Sequence, residues 1–115
     1  MGFRLELSAE AERDFGLLFD HLLRSYLDFG ESLQSAVNHA ETRIREIRAA
    51  AERILTAPHR GERHDDIRLG LRHLTIERAV YWFDVDEARG TVRVLAVFLG
   101  GQDHVRHMLA RLLEG

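Results

Sequence analysis

The spacing of hydrophobic and polar positions changes several times along the chain, and each change marks an element. Phe3-Arg4-Leu5-Glu6-Leu7 alternates apolar and polar residues, the pattern of a half-buried strand. The alternation stops at Ser8. A serine here accepts from the free amides of a first helical turn, and Glu10 and Glu12 fall at the positive end of the helix dipole. Ala11, Phe15, Leu18, Phe19, Leu22, Leu23 and Tyr26 then recur at helical spacing as one wide apolar stripe, closed by Phe29-Gly30. A second stripe runs through Leu33, Val37, Ala40, Ile44, Ile47, Ala51, Ile54 and Leu55 and is stopped by Pro58 and Gly61. The pattern predicts two helices, each roughly 30 Å long, about the width of a globule of this size. The short connection at Gly30 folds them into an antiparallel hairpin, and both stripes need a flat apolar surface to cover.

The second half supplies that surface. Ile67, Leu69 and Leu71 alternate; Ala79 to Val85 is rich in β-branched and aromatic residues; Thr91 to Leu99 is almost continuously apolar, as a central strand should be. The alternation slips between Leu71 and Leu74, which predicts a bulge near His73. Glu87-Ala88-Arg89-Gly90 reads as a hairpin turn with Gly90 at positive φ. After Gly100-Gly101, the run Asp103 to Leu113 places Val105, Met108, Leu109 and Leu112 on one face of a short closing helix. The expected fold is one α+β domain over residues 1–115. It has an N-terminal strand, an antiparallel helical hairpin on a mostly antiparallel four-stranded sheet, and a short C-terminal helix. The sheet's second face is expected to be used rather than left bare.

Length and composition narrow the function. The 115 residues, 45% hydrophobic and 30% charged with one proline, suit a single folded core, and no apolar run approaches the length of a membrane span. No secretory leader opens the chain, so a cytoplasmic protein is expected. With no cysteine, disulfides and thiolate metal sites are excluded. All 16 basic residues are arginine, read here as coding bias, and the formal charge is −3. Residues 1–59 hold 7 arginines against 10 acids and residues 60–115 hold 9 against 9, so the basic footprint of a nucleic-acid binder is absent.

Taken alone, most polar residues have plain readings. Arg72 and Arg78 suit ion pairs with Asp66, Glu77 or Asp84. His104 and His107 stand three apart on a helix without a third ligand, and His64-Asp65-Asp66 reads as a turn or cap, so no metal and no cofactor are expected. Asp84, Asp86 and Glu87 lack the glycine and terminal glutamate of a calcium loop. Trp82 is either core or an anchor for a partner.

The order of these features resembles the RelE/ParE family of toxins from bacterial toxin-antitoxin modules. The resemblance is carried by the strand followed by Ser8, Ala11 and Asp14, by Leu55-x-x-Pro58-x-x-Gly61, by Gly70-Leu71-Arg72, and by Arg78-Ala79-Val80-Tyr81 before two further strands. It implies a growth-inhibiting toxin, of the kind that stabilises plasmids, whose apolar groove receives the acidic or amphipathic C-terminal segment of a cognate antitoxin. Contact with DNA would be indirect, through that antitoxin.

The family divides by target, between RelE-like ribosome-dependent mRNA endonucleases and ParE-like inhibitors of DNA gyrase. RNA cleavage by attack of a ribose 2′-oxygen needs a base, a proton donor and cations. Arg72 and Arg78 match the family's strand arginines, but Gln102 and Met108, or its neighbour His107, stand where the nucleases carry an arginine and a tyrosine. The resemblance is therefore closer to ParE, with gyrase as the expected target. Arg72, Arg78, Tyr81, Trp82, Leu18 and Leu22 are the expected contacts with target or antitoxin. The alternatives are a nuclease using Arg72, Arg78, His104 and His107, and a degenerate toxin that only binds its antitoxin and aids autoregulation.

Overall fold

The structure, a computed structural model, describes residues 2–100 and 103–114. The chain runs β1 (Arg4–Leu7), α1 (Ala9–Asp28), α2 (Leu33–Ala51), a 3-10 turn (Glu52–Thr56), β2 (Glu62–Arg63), β3 (Arg72–Ile76), β4 (Ala79–Asp86), β5 (Thr91–Leu99) and α3 (His104–Glu114). The strands form one sheet in the order β1-β5-β4-β3-β2. β1 lies parallel to β5, and the other pairings are antiparallel.

Local chemistry sets the helix starts. The Ser8 hydroxyl accepts from the Ala11 amide and Ser32 does the same for Ser35. The helices are antiparallel: Arg48, late in α2, grips Glu12, early in α1, and at the other end Tyr26 stacks on His39 with ring centroids 3.7 Å apart. Their shared stripe, centred on Phe15, Leu18, Ile47 and Ile54, packs on Tyr81, Phe83, Val92 and Val94. Each such side chain contributes on the order of 1.5–3 kcal/mol by leaving water. The opposite face carries Leu71, Val80, Trp82, Ala96 and Phe98 under Met108 of α3.

Four details differ from the sequence expectation. The sheet has five strands, because Glu62–Arg63 adds a two-residue edge. Ile67 to Leu71 is turn rather than strand, with Leu69 85% exposed. No bulge lies at His73, since β3 pairs with β4 without interruption from Arg72↔Phe83 to Ile76↔Ala79. Leu71 and Leu74 belong to opposite apolar layers, so the apparent slip records a change of face. Finally, the second stripe leaves the α-helix at Ala51 and finishes in the 3-10 turn, while its first residue, Leu33, is exposed.

The irregularity sits instead between β4 and β5. Trp82 pairs with Ala96 and Phe83 with Val94, which leaves Leu95 as an extra residue. Leu95 and Ala96 consequently both face α3, and the near-continuous apolar run of β5 fills two layers. The Gly90 turn has the expected positive φ of 60°.

Candidate functional site

Beyond Val94, β5 has lost β1 as a neighbour, because the chain turns at Ser8 into α1. Side chains take over the exposed strand edge. The Asp14 carboxylate accepts from the Val97 amide at 2.9 Å, and the Ser8 hydroxyl donates to the Leu95 carbonyl at 3.3 Å. Arg111 of α3 closes the network with bonds of 2.8 and 2.7 Å to the two oxygens of Asp14 and one of 3.3 Å to the Leu95 carbonyl. Asp14 is almost fully buried, so its charge requires this bidentate partner, and the carboxylate raises the Arg111 pKa further. One ion pair thus ties α1, β5 and α3 together.

Beside it, between α1 and α3, lies a groove of about 560 Å³. Its apolar floor is Leu17, Leu95, Met108 and Leu112; its rim carries Arg13, Arg68, Arg93 and Arg111 against Glu10, Asp14 and Glu114. Asp14 is already neutralised by Arg111. Arg68 reaches Asp84 at 3.4 Å and Arg13 reaches Glu10 at 3.9 Å, whereas Arg93 is exposed with no ion-pair partner among the described residues. Leu17, 65% exposed, completes an apolar channel with a cationic rim.

The second feature of this face is a nest of imidazoles. His64 Nε2 and His73 Nδ1 lie 2.7 Å apart, and Glu62 Oε2 is 3.8 Å from His64 and 3.5 Å from His73. Both rings lie over Trp82, and His104 packs edge-on to His73 with centroids 4.7 Å apart. Burial, together with the neighbouring His104 and His64, lowers the His73 pKa, so His73 favours the neutral form.

The residues singled out from sequence are dispersed. Arg72 alternates with Leu74 and Ile76 on the hairpin side and donates to the His59 carbonyl at 2.8 Å rather than pairing with Asp66 or Asp84. Arg78 forms the turn between β3 and β4 with Glu77. Both hold positive φ, 73° and 49°, in a connection where asparagine and glycine are usual. The Arg78 guanidinium is exposed without a polar partner among the described residues, while its carbonyl accepts from Gly100. His104 and His107 are on the α3 side, His107 against Phe98.

Tyr81 and Trp82 are fully buried, so neither side chain presents a contact surface. Tyr81 donates to the Ile47 carbonyl at 2.6 Å, and burial pushes its pKa up to about 12. Leu18 is core and Leu22 half-buried. Met108 is core, and Gln102 lies outside the described residues. Arg72 and His104 therefore occupy opposite faces of the sheet, and Arg78 stands at the far end of β3 from Arg72. The four side chains offered as a nuclease set do not converge.

Sequence reasoning missed Arg111 and the nest. Arg111 looked like one more helix-surface arginine. The sequence reads His73 only as the place of a bulge and His64 only as part of a turn or cap, and it does not single out Glu62. The available signal was Glu62-x-His64, whose side chains share a face once paired. Gly61 explains the preceding motif: a Cβ there would meet the His73 carbonyl oxygen at 2.6 Å, so only glycine lets β2 close on β3.

No protein-family model and no curated protein sequence matches the chain. Solved structures do. A chain of the chromosomal ParDE toxin-antitoxin system from P. aeruginosa superposes with a TM-score of 0.63 at 16% identity, covering 85% of this chain and 96% of that one. A chain of the toxin-antitoxin complex RelBE2 from Mycobacterium tuberculosis gives 0.49 at 14% identity, covering 86% and 99%. The first likeness establishes the RelE/ParE fold expected from the sequence motifs. No described helix is long and apolar enough to cross a membrane.

Proposed function

We propose that the chain is the toxin of a type II toxin-antitoxin module, of the ParE kind, acting by inhibition of DNA gyrase and held inactive by a cognate antitoxin. The observation that supports this reading most is the fold shared with the ParDE system over 85% of the chain. The separation of Arg72, Arg78 and His104 supports it against the ribonuclease alternative, because general acid-base cleavage needs its groups within hydrogen-bond reach of one phosphate. The exposed Arg78 turn is then a target contact, a role that requires charge and shape but no proton transfer.

The antitoxin's seat is the groove between α1 and α3. Its floor of Leu17, Met108 and Leu112 suits an apolar stripe, and its arginine rim suits acidic flanks. An amphipathic, acidic segment that orders on binding fits both features.

The test is a supercoiling assay with purified chain and gyrase. Inhibition at micromolar concentration, relieved by the antitoxin encoded beside it, is the expected result. Unchanged supercoiling together with mRNA cleavage on ribosomes would replace this reading by the nuclease; absence of both activities would leave a protein that only binds its antitoxin.

A further inference from the structure

We propose that Glu62, His64 and His73 form a binding site for one divalent transition-metal ion, with Zn²⁺ the best match to two imidazole nitrogens and one carboxylate oxygen. Each of the three residues can place one ligand atom within 4.8 Å of the other two. Ligands about 2.0–2.2 Å from a central zinc stand within that span of one another. The inference is independent of the toxin reading.

Three observations carry it. First, the backbone fixes the donors in advance. Glu62 and His73 are cross-strand partners, and the His64 amide continues the pairing by bonding to the Leu71 carbonyl at 2.8 Å. Gly61 makes the close approach possible, so the arrangement belongs to the β2–β3 pairing rather than to chance rotamers. Second, the donor atoms converge: His64 Nε2 lies 2.7 Å from His73 Nδ1, and Glu62 Oε2 lies 3.8 Å from His64 Nε2 and 3.5 Å from His73 Nε2. Third, this side of the sheet holds buried polar atoms with no partner among the described residues, Trp82 Nε1 and His104 Nδ1, and both rings border His73. The indole N–H can only donate, so it calls for an acceptor beside it, such as a water held on the ion, and not for the ion itself.

The mixed nitrogen and oxygen donors favour zinc over magnesium or calcium, which prefer oxygen alone. Three protein ligands leave at least one position for water. A bound ion would tie the two-residue β2 to β3, an edge that two residues of pairing hold only weakly.

The experiment uses tag-free full chain, stripped with chelator and titrated with Zn²⁺ against a chromophoric competitor, then with Co²⁺ to read visible absorption. The expected result is one equivalent bound, a higher thermal midpoint with Zn²⁺, and Co²⁺ bands of four- or five-coordinate intensity. Glu62→Gln, at an exposed position, should weaken binding about tenfold or more, and the His64→Gln/His73→Gln pair by more than about 100-fold, since even outer-shell changes cost 10–100-fold. Circular dichroism confirms that both variants fold. Absence of saturable binding by the parent chain, or equal binding by parent and double variant, would overturn the site.

Discussion

The two faces of the sheet are built from different materials. Under the helical hairpin, Phe15, Leu18, Ile47, Tyr81, Phe83, Val92 and Val94 close a continuous apolar layer in which the buried Tyr81 hydroxyl is bonded to a helix carbonyl. Under α3, the layer is thinner: Met108 is the helix's single buried residue, and the space around it holds imidazoles, an arginine-rimmed groove and a buried ion pair. Two long helices can seal one face because their stripes are wide; an 11-residue helix cannot seal the other. The hairpin face therefore carries most of the stability, and on the proposed reading the α3 face serves recognition.

The sharpest way to break this contrast is to cut into each face in turn. Phe83→Ala should cost about 3–5 kcal/mol in urea unfolding, because a fully buried ring leaves a cavity that a helix hairpin cannot collapse into. On the α3 side, Arg111→Ala should cost about 3 kcal/mol, not through lost apolar area but because Asp14 remains buried and unpaired. Asp14→Asn combined with Arg111→Met should recover much of that loss. A double variant as unstable as the sum of its parts would show that the pair does not act as a unit.

Smaller effects sharpen the division of labour. Arg93→Glu changes the sign of an exposed rim position and should weaken antitoxin binding about tenfold by calorimetry, with stability within about 0.5 kcal/mol of the parent. Arg78→Gly should raise stability by about 1 kcal/mol, since glycine removes the left-handed penalty of the turn. The same change should reduce growth inhibition, and a variant both more stable and equally toxic would remove Arg78 from the proposed contact surface.

The smallest effect is on pH dependence. His73 has a folded pKa below its ordinary 6.5, chiefly through desolvation. The unfolded chain then binds a proton that the folded chain refuses, so stability is full above pH about 6.5 and declines as pH falls from there towards the folded value. In the presence of chelator, His73→Gln should flatten that part of the stability curve.

Much of the fold was legible because periodicity reports burial. The helical hairpin, the interior place of β5 in the sheet and the Gly90 turn follow from stripes and alternation that the packing respects. The bulge was misplaced because alternation alone cannot tell a slip from a change of face when both faces are apolar, as at Leu71 and Leu74. The site was less legible. Arg72 and Arg78 are adjacent in motif but separated by a strand, and Trp82, an apparent anchor, is floor. Asp14 and Arg111 meet only through the tertiary fold, across a sequence distance that no local pattern spans, and His64 meets His73 only once β2 pairs with β3.

The most direct test of the proposed function is to induce the chain alone in a bacterium and pulse-label DNA and protein synthesis over the first minutes. Early loss of DNA synthesis with translation intact is the predicted result, and would make Arg78 and its turn part of a gyrase-binding surface. Early loss of translation with DNA synthesis intact would contradict it and point to RNA cleavage on the ribosome.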